Sequence, residues 1–242
     1  RREKSLVLTD LPDKIRQVNT CEITNRKEYM DAERDLIMYL QKYKDADDDK
    51  IEKALRGEVM VRINILRQIS ARGKVRDVIE FVKDFRENGK KIILFCSLHE
   101  VVDQLKRYFP TAVSVTSRDS QDEKQRAVDA FQNNPKADII ICSIKAAGVG
   151  LTLTASSNVA FVEFPWTYAD CCQCEDRAHR IGQKDSVTCY YFLGRRTIDE
   201  KVYRIIQEKK NIANAVTGST EDIEENIVDM VARIFDTDYD DE

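Results

Sequence analysis

The sequence Asp138-Ile139-Ile140-Ile141-Cys142-Ser143 decides the fold class of this chain. Its apolar residues follow one another directly instead of alternating with polar ones. Such a run is typical of a strand that is covered on both faces, as the strands of a parallel sheet are. We therefore predict a buried strand over these residues, with the rest of a sheet built around it.

Short apolar runs alternate with amphipathic helices on both sides of this strand. The other predicted strands are Ile92–Cys96, Ala112–Thr116, Val159–Phe164 and Val187–Leu193. The predicted helices are Val101–Phe109, a helix near Ala169–His179, and one opened by Ser120 with Glu123 as its capping-box partner. This alternation predicts an α/β fold in which a parallel sheet carries helices on both faces.

In a sheet of this kind the working groups lie on loops at the carboxyl ends of the strands. Several polar segments of this chain directly follow predicted strands, and we expect them to share one edge of the sheet. They are Ser97, Thr116-Ser117, 143–152 and 165–166.

Both ends of the chain show helical spacing of apolar residues. Residues 1–72 read as helical, with Tyr29, Leu36 and Tyr43 on one stripe, and we interpret them as a helical protrusion and the segment leading into the lobe. We place the α/β lobe at 73–217. Residues 218–242 are predicted to form a C-terminal helix and an acidic tail, Asp236–Glu242.

Composition narrows the class of protein. The 242 residues carry a net charge of −4, so any binding of phosphate must come from a local face of the molecule. No apolar run approaches the roughly 18–20 residues of a membrane span, and no secretory signal is visible. Seven cysteines are an odd number for a disulfide framework and favour a reducing compartment. We expect an intracellular location: cytoplasm or nucleoid in a bacterium, nucleus in a eukaryote. The first residue is not Met, so the chain is expected to be a piece of a longer protein.

The segment Gln173-Cys174-Glu175-Asp176-Arg177-Ala178-His179-Arg180-Ile181-Gly182-Gln183 carries the most chemical information. On a helix of about 100° per residue, Gln173, Arg177 and Arg180 fall within roughly 60° of one another. Two guanidiniums side by side repel unless anions separate them. Glu175 and Asp176 are one source of such anions, and a polyphosphate arriving from outside is the other.

This segment resembles motif VI of the SWI/SNF-like ATPases, which belong to helicase superfamily two. In that family the two arginines act on ATP bound by the first of two RecA-like lobes. The resemblance therefore implies catalytic roles for Arg177 and Arg180, and a role for Gln173 in holding nucleotide and the lobe interface. The Glu-Asp-Arg form of the motif and the ending Ile206–Lys209 look most similar to the annealing-helicase branch.

Three further segments resemble family motifs in the same order along the chain. Lys91–Ser97 resembles motif IV, and Ser143–Thr152 resembles motif V, whose glycines at 148 and 150 would offer backbone N–H groups to phosphate. Ala147 and Thr152 depart from the usual motif V. Val113–Phe131 resembles the segment where the family often has Asp-Gly-Ser/Thr, and only Ser117 carries over. The implied nucleotide-binding residues are Gly148, Gly150 and Gln173, and the implied DNA-backbone contacts are Ser97, Ser117, Ser143 and Lys145.

Together these motifs imply the second RecA-like motor lobe of an ATP-dependent DNA translocase. The implied partners are an N-terminal RecA-like lobe of the same protein and double-stranded DNA, with no membrane. ATP and Mg would be bound mainly by the first lobe, because this sequence has neither Gly-x-x-x-x-Gly-Lys-Ser/Thr nor a strand ending in Asp-Glu-x-His. The chain alone is therefore expected to be inactive.

Two other functions are compatible with the sequence. The first is a non-catalytic α/β module that binds protein partners through its helices and acidic ends. The second is a sugar-nucleotide-binding lobe, which lacks an acidic pair for the ribose. A metal site is not expected: Cys171 and Cys174 form a single Cys-x-x-Cys, whereas a zinc site needs about four ligands.

Overall fold

The computed structural model describes residues 11–45, 49–146, 150–210, 228–232 and 235. Its strands are β1 (Lys14–Cys21), β2 (Ile92–Cys96), β3 (Val113–Val115), β4 (Ile139–Ser143), β5 (Asn158–Phe161) and β6 (Val187–Gly194). Its helices are α1 (Arg26–Lys44), α2 (Asp49–Glu87), α3 (His99–Tyr108), α4 (Gln121–Asn133), α5 (Tyr168–Glu175) and α6 (Ile198–Lys210). Residues 228–232 are also helical.

The six strands form one sheet in the order β1-β6-β5-β2-β4-β3. The pairs β2–β4, β2–β5, β3–β4 and β5–β6 are parallel, and Cys96 pairs with Ser143 at the carboxyl ends of β2 and β4. Every residue of β2 and β4 is buried, so both faces of the sheet are covered there. The predicted α/β class and the predicted strands at 92–96 and 138–143 are confirmed.

Aromatic rings fill the centre of this sheet. The ring of Phe161 stacks on Phe95 at 5.3 Å and on Tyr191 at 5.0 Å, and Phe164 stacks on Tyr191 at 5.6 Å. Burial of rings of this size contributes a large share of the hydrophobic free energy of a fold. These rings therefore form a continuous part of the buried core of the sheet.

Helix α4 begins as the sequence predicts. The Ser120 hydroxyl accepts a hydrogen bond from the Glu123 backbone N–H at 3.3 Å, and the Glu123 carboxylate accepts one from the Ser120 N–H at 2.8 Å. This is the complete capping box. It fixes the direction of the chain between the end of β3 and the body of α4.

Strand β1 corrects the prediction that residues 1–72 are helical throughout. Lys14–Cys21 lies at the edge of the sheet, where one side of a strand is left without a neighbour. Ile15 and Val18 are 47% and 45% exposed. An edge strand of this kind carries no long apolar run, and its β-branched residues Ile15, Val18 and Thr20 were the available signal.

The chain divides into two compact units, one made of residues up to Cys21 with Lys74–Leu193, the other of Glu22–Gly73 with the residues from Gly194 onward. The first unit contains the sheet described above. Within the second, Tyr29, Leu36, Leu40, Ile63 and Leu66 are buried. The helical stripe predicted for α1 is confirmed.

Two buried polar contacts shape the second unit further. The Asp199 carboxylate accepts hydrogen bonds from Ser70 Oγ at 2.7 Å and from the Gly194 N–H at 3.0 Å. Both donors are buried, so the carboxylate satisfies groups that would otherwise lose their hydrogen bonds to water. The predicted domain limits at 72 and 217 stay predictions, and most of the predicted C-terminal helix lies outside the described residues.

None of the helices within the described ranges combines the length and the apolar character that a bilayer span requires.

Candidate functional site

Ser97 lies directly after β2 at the carboxyl edge of the sheet. The backbone N–H groups of Ser97 and Leu98 donate to Glu163 Oε1 at 3.0 and 2.9 Å. Glu163 follows β5, so it ties two neighbouring loops of the edge together. The Ser97 residue is exposed, and its hydroxyl faces solvent from a backbone that is held in place.

Ser117 lies on another loop at this edge, the one that follows β3. Its hydroxyl is 3.2 Å from His99 Nε2, and the residue is exposed. The preceding Thr116 donates from its N–H and its hydroxyl to Asp119 Oδ2 at 2.6 and 2.8 Å. These contacts close a tight turn that presents Ser117 outward.

The last residue of β4 and the loop that follows it contain four of the predicted site residues. Ser143 is 8% exposed and its hydroxyl accepts a hydrogen bond from the Ala146 N–H at 3.2 Å, whereas Lys145 is exposed. Gly150 has a φ of 76°, a left-handed conformation that favours glycine. Gly148 lies outside the described residues. Ser143 thus shapes the loop, and Lys145 is its exposed cation.

Helix α5 is shorter than the sequence predicts. Thr167 caps it by accepting a hydrogen bond from the Asp170 N–H at 3.1 Å, and the helix ends at Glu175 instead of continuing to His179. Gln173 is exposed on its last turn. The prediction that Gln173, Arg177 and Arg180 share one helical face is wrong, because both arginines follow the helix.

Residues 176–183, which we call the arginine turn, carry Arg177 and Arg180. The Glu175 carbonyl accepts hydrogen bonds from the N–H groups of Ala178 at 3.1 Å and His179 at 3.0 Å, which ends the helix in a tight turn. The Arg177 carbonyl accepts from the Leu153 N–H at 2.9 Å. The turn is therefore attached to the segment that connects β4 to β5.

Arg177 is half-buried, and no ion pair to its guanidinium is formed by the described residues. Its Nε atom is buried and has no hydrogen-bond partner. Burial first, and then the neighbouring charge of Arg180, hold the pKa of Arg177 below its ordinary value. Arg180 is exposed and donates from Nη1 to the Gly150 carbonyl at 3.4 Å. Across the described parts of the chain, no carboxylate forms an ion pair with either guanidinium.

The two nearest carboxylates in the sequence are bound elsewhere. The Glu175 carboxylate is fully buried; Arg16 donates to it from Nε at 2.7 Å and from Nη2 at 2.6 Å, and Lys14 Nζ is 2.9 Å away. The Tyr191 hydroxyl also donates to it. Lys14 Nζ is 3.4 Å from Asp176 Oδ1. Glu175 and Asp176 thus contact the cations of β1, and among the described residues neither forms an ion pair with Arg177 or Arg180.

Gln183 is a residue whose role the sequence did not reveal. It is 8% exposed, and its amide nitrogen donates to the Ser156 carbonyl at 2.9 Å and to the Ala178 carbonyl at 3.3 Å. Its amide oxygen accepts from the Lys184 N–H at 2.9 Å. Gly182, with a φ of 101°, lets the chain reverse just before it. Gln183 thus closes the arginine turn from its far end.

The cysteines of α5 face the interior. Cys171 and Cys174 are each 1% exposed, and burial raises the pKa of both thiols. None of the seven cysteines is paired in a disulfide bond, and no group of three or more potential metal ligands occurs within the described ranges. The acidic end, Asp236–Glu242, on which the protein-interaction alternative depends, lies outside the described residues.

Comparison with known sequences adds to this geometry. The family of the helicase conserved C-terminal domain matches residues 73–182. The DNA annealing helicase and endonuclease ZRANB3 of Bos taurus is 31% identical over 230 residues, which make up 91% of this chain and 20% of that protein. The SWI/SNF-related matrix-associated actin-dependent regulator of chromatin subfamily A-like protein 1 of Xenopus tropicalis is 32% identical over 145 residues, 58% of this chain and 15% of that protein. The chain thus spans 20% or less of these relatives.

Solved structures agree on the fold. The C-terminal part of the Fun30 ATPase domain has a TM-score of 0.72 at 16% identity, covering 94% of this chain and 99% of that one. The Sulfolobus solfataricus SWI2/SNF2 ATPase core in complex with dsDNA has a TM-score of 0.67 at 22% identity, covering 86% of this chain and 47% of that one. The predicted RecA-like fold is confirmed.

Proposed function

We propose that this chain, which belongs to the SWI/SNF-like helicase family and forms its C-terminal lobe, supplies Arg177 and Arg180 to an ATP held by another lobe. Guanidiniums placed against the phosphoryl group that is being transferred neutralise charge as it develops in the transition state. The chain would thus be one half of a DNA-dependent ATPase, and inactive without the other half.

One observation carries this proposal: Arg177 and Arg180 lie close enough for the charge of one to lower the pKa of the other, and no carboxylate among the described residues forms an ion pair with either. A half-buried Arg177 whose Nε has no partner is costly for a fold to retain, since buried polar groups are normally hydrogen-bonded. A triphosphate brought by another lobe would relieve this cost. The arrangement therefore fits a polyphosphate as the missing anion.

The motifs that this sequence contains and lacks indicate which of the two lobes would bind each part of the nucleotide. It has no Gly-x-x-x-x-Gly-Lys-Ser/Thr segment, so the phosphate cradle and Mg would belong to the preceding lobe. Gln173, exposed on the last turn of α5, would contact the nucleotide or that lobe. The Gly150 carbonyl accepts a hydrogen bond from Arg180. Because they have no side chains, Gly148 and Gly150 would let the backbone approach the phosphates closely.

Double-stranded DNA would lie along the carboxyl edge of the sheet. Ser97, Ser117 and Lys145 are exposed on three successive loops there, and Ser143 supports the loop of Lys145. Hydroxyl and ammonium groups of this kind contact phosphate oxygens and position DNA without reading its sequence. Closure of the two lobes around ATP and their reopening would move the DNA backbone past these contacts.

The test is the DNA-stimulated ATPase of the natural protein that contains both lobes. We expect Arg177→Ala and Arg180→Ala each to lower kcat by about 10³-fold, the lower range for arginines that act on a transferring phosphoryl group. The control is Arg107→Ala, since Arg107 is an exposed arginine in the last turn of α3, and it should keep wild-type turnover. Near-normal turnover of both arginine variants would refute the proposal.

A further inference from the structure

Two side-chain contacts join the loop after β3 to helix α3. His99 and Asp103 lie one turn apart on α3 and so share a face of the helix. His99 Nε2 is 3.2 Å from Ser117 Oγ. The Asp103 carboxylate accepts hydrogen bonds from Arg118 Nη1 and Nη2 at 3.1 and 2.6 Å. Two consecutive residues of the loop are therefore held by two residues of one helical face.

Hydrogen bonds within the loop hold the backbone around Ser117. The Thr116 hydroxyl donates to Asp119 Oδ2 at 2.8 Å and accepts from the Arg118 N–H at 3.2 Å. Thr116 is buried, whereas Ser117 is exposed. With its oxygen placed beside His99, the Ser117 hydroxyl keeps one freedom, the rotation of its O–H bond.

The two ring nitrogens of His99 have different surroundings. Nε2 lies beside the Ser117 hydroxyl, whereas Nδ1 is buried and has no hydrogen-bond partner among the residues that the structure describes. The carboxylate one turn further along α3, Asp103, is bound by Arg118. A hydrogen on Nδ1 would thus be a buried donor without an acceptor, which folded proteins rarely retain. These surroundings favour the tautomer that carries its hydrogen on Nε2.

We infer that His99 is a positioning residue for the DNA contact of Ser117: Nε2–H donates to Ser117 Oγ, and the Ser117 O–H then points outward to a phosphate oxygen of the DNA. This inference rests on the proposed function, which assigns Ser117 to the DNA backbone. A hydroxyl has one hydrogen and two lone pairs, so an oxygen that accepts from His99 keeps its own hydrogen for another acceptor.

The other tautomer would have the opposite effect. With the hydrogen on Nδ1, the Ser117 hydroxyl would donate to Nε2 and present only its lone pairs to solvent. Phosphate oxygens also present lone pairs, so they would be repelled. The location of one hydrogen atom on His99 therefore decides whether Ser117 attracts or repels the DNA backbone.

The first experiment measures how the ATPase of the natural two-lobed protein depends on the concentration of double-stranded DNA. Ser117→Ala should raise the DNA concentration for the half-maximal rate about fivefold, the scale of one hydrogen bond. His99→Leu should raise it about threefold, because the hydroxyl is then free to take three staggered directions. Both effects should fall on this concentration rather than on kcat.

Matched variants separate positioning from a structural role. His99→Gln carries an amide N–H near the place of Nε2 and should restore most of the DNA affinity that His99→Leu loses. Ser114→Ala removes a hydroxyl of the same segment that Lys106 Nζ contacts at 3.1 Å, and should keep the wild-type DNA dependence. In a Ser117→Ala background, His99→Leu should have no further effect, because no hydroxyl remains to be directed.

The outcomes distinguish this inference from the proposed function. A further loss of DNA affinity in the double variant would show that His99 acts independently of Ser117 and would overturn the inference. Wild-type DNA dependence in His99→Leu, beside a weakened Ser117→Ala, would also overturn the inference and leave the DNA contact of Ser117 in place. Wild-type DNA dependence in Ser117→Ala would overturn that contact as well.

A second measurement, on the 242-residue chain, does not depend on turnover or on the first lobe. The chain has two histidines, so the ring signals of His99 are identified by their loss in His99→Gln. Long-range 1H–15N NMR correlations of the ring show which nitrogen carries a hydrogen. We expect the hydrogen on Nε2 at neutral pH. A hydrogen on Nδ1 would overturn the inference, whatever the turnover of the variants.

Discussion

Arg118 and Arg177 both lie in turns outside the helices and strands, and their surroundings are opposite. Arg118 is exposed, yet it makes two contacts with the Asp103 carboxylate, at 3.1 and 2.6 Å. Its hydrogen bond to Asp103 raises the pKa of Arg118. Arg177 is half-buried and has no such partner, and burial together with Arg180 lowers its pKa.

The contrast shows that the solvent exposure of an arginine does not determine whether its charge is available to bind a further anion. An exposed arginine with a bound carboxylate has little to gain from a further anion. A half-buried arginine beside a second arginine gains both charge compensation and a hydrogen bond when an anion arrives. The difference arises from the partner of the nearby carboxylate in each region. Asp103 pairs with Arg118, whereas Asp176 contacts Lys14.

The largest effect on stability is expected where the acidic residue is buried. Glu175→Ala leaves Arg16 and Lys14 without their main anion and should lower the free energy of unfolding by about 3–5 kcal/mol, the cost of breaking a buried ion pair. Asp103→Ala breaks the exposed pair with Arg118 and should leave the unfolding midpoint unchanged within error. Urea unfolding of both variants measures the difference.

Equal unfolding midpoints for Glu175→Ala and Asp103→Ala would contradict this part of the account. The buried cluster would then contribute no more than an exposed pair, and strand β1 would not be firmly attached to the arginine turn through it.

A smaller change in the free energy of unfolding, of opposite sign, is expected when the arginines themselves are replaced. Arg177→Met removes a guanidinium that repels Arg180 and should raise the free energy of unfolding by about 0.5 kcal/mol, the scale of a like-charge pair. Arg118→Met removes an exposed, paired guanidinium and should not change the unfolding midpoint. Thermal unfolding at low ionic strength checks both, and a loss of stability in Arg177→Met would show that Arg177 has a stabilising partner.

The sheet could be predicted because its strands are continuous apolar runs. Ile92–Cys96 and Ile139–Ser143 are buried throughout, and residue type alone indicates such strands. The capping box of Ser120 and Glu123 is likewise local, since both partners lie within one turn. Features that depend on residues close together in the sequence could therefore be predicted.

Strand β1 and the end of α5 could not be predicted in the same way. Both depend on contacts between residues about 160 positions apart in the chain, such as the one between Arg16 and Glu175. Gln173, Arg177 and Arg180 do have helical spacing in the sequence, but helix α5 ends at Glu175. Tertiary contacts decided where the helix ends.

The positions of some loops at the candidate site were therefore predicted, but the geometry of the arginine turn was not. The sequence correctly brought the loops of Ser97, Ser117 and Lys145 to one edge of the sheet. It left open whether Glu175 and Asp176 neutralise the two arginines, because the competing cations of β1 belong to a stretch that was interpreted as helical. The roles of the individual residues stay predictions until the variants are measured.

The most direct test of the account is whether an outside anion binds Arg177 in preference to Arg118. Pyrophosphate can be titrated into the isotopically labelled 242-residue chain while the Nε–Hε NMR signals of both arginines are followed. The account predicts a saturable shift of the Arg177 signal that weakens in Arg180→Ala, and no shift for Arg118. An unchanged Arg177 signal, or an equal shift of both arginines, would contradict it.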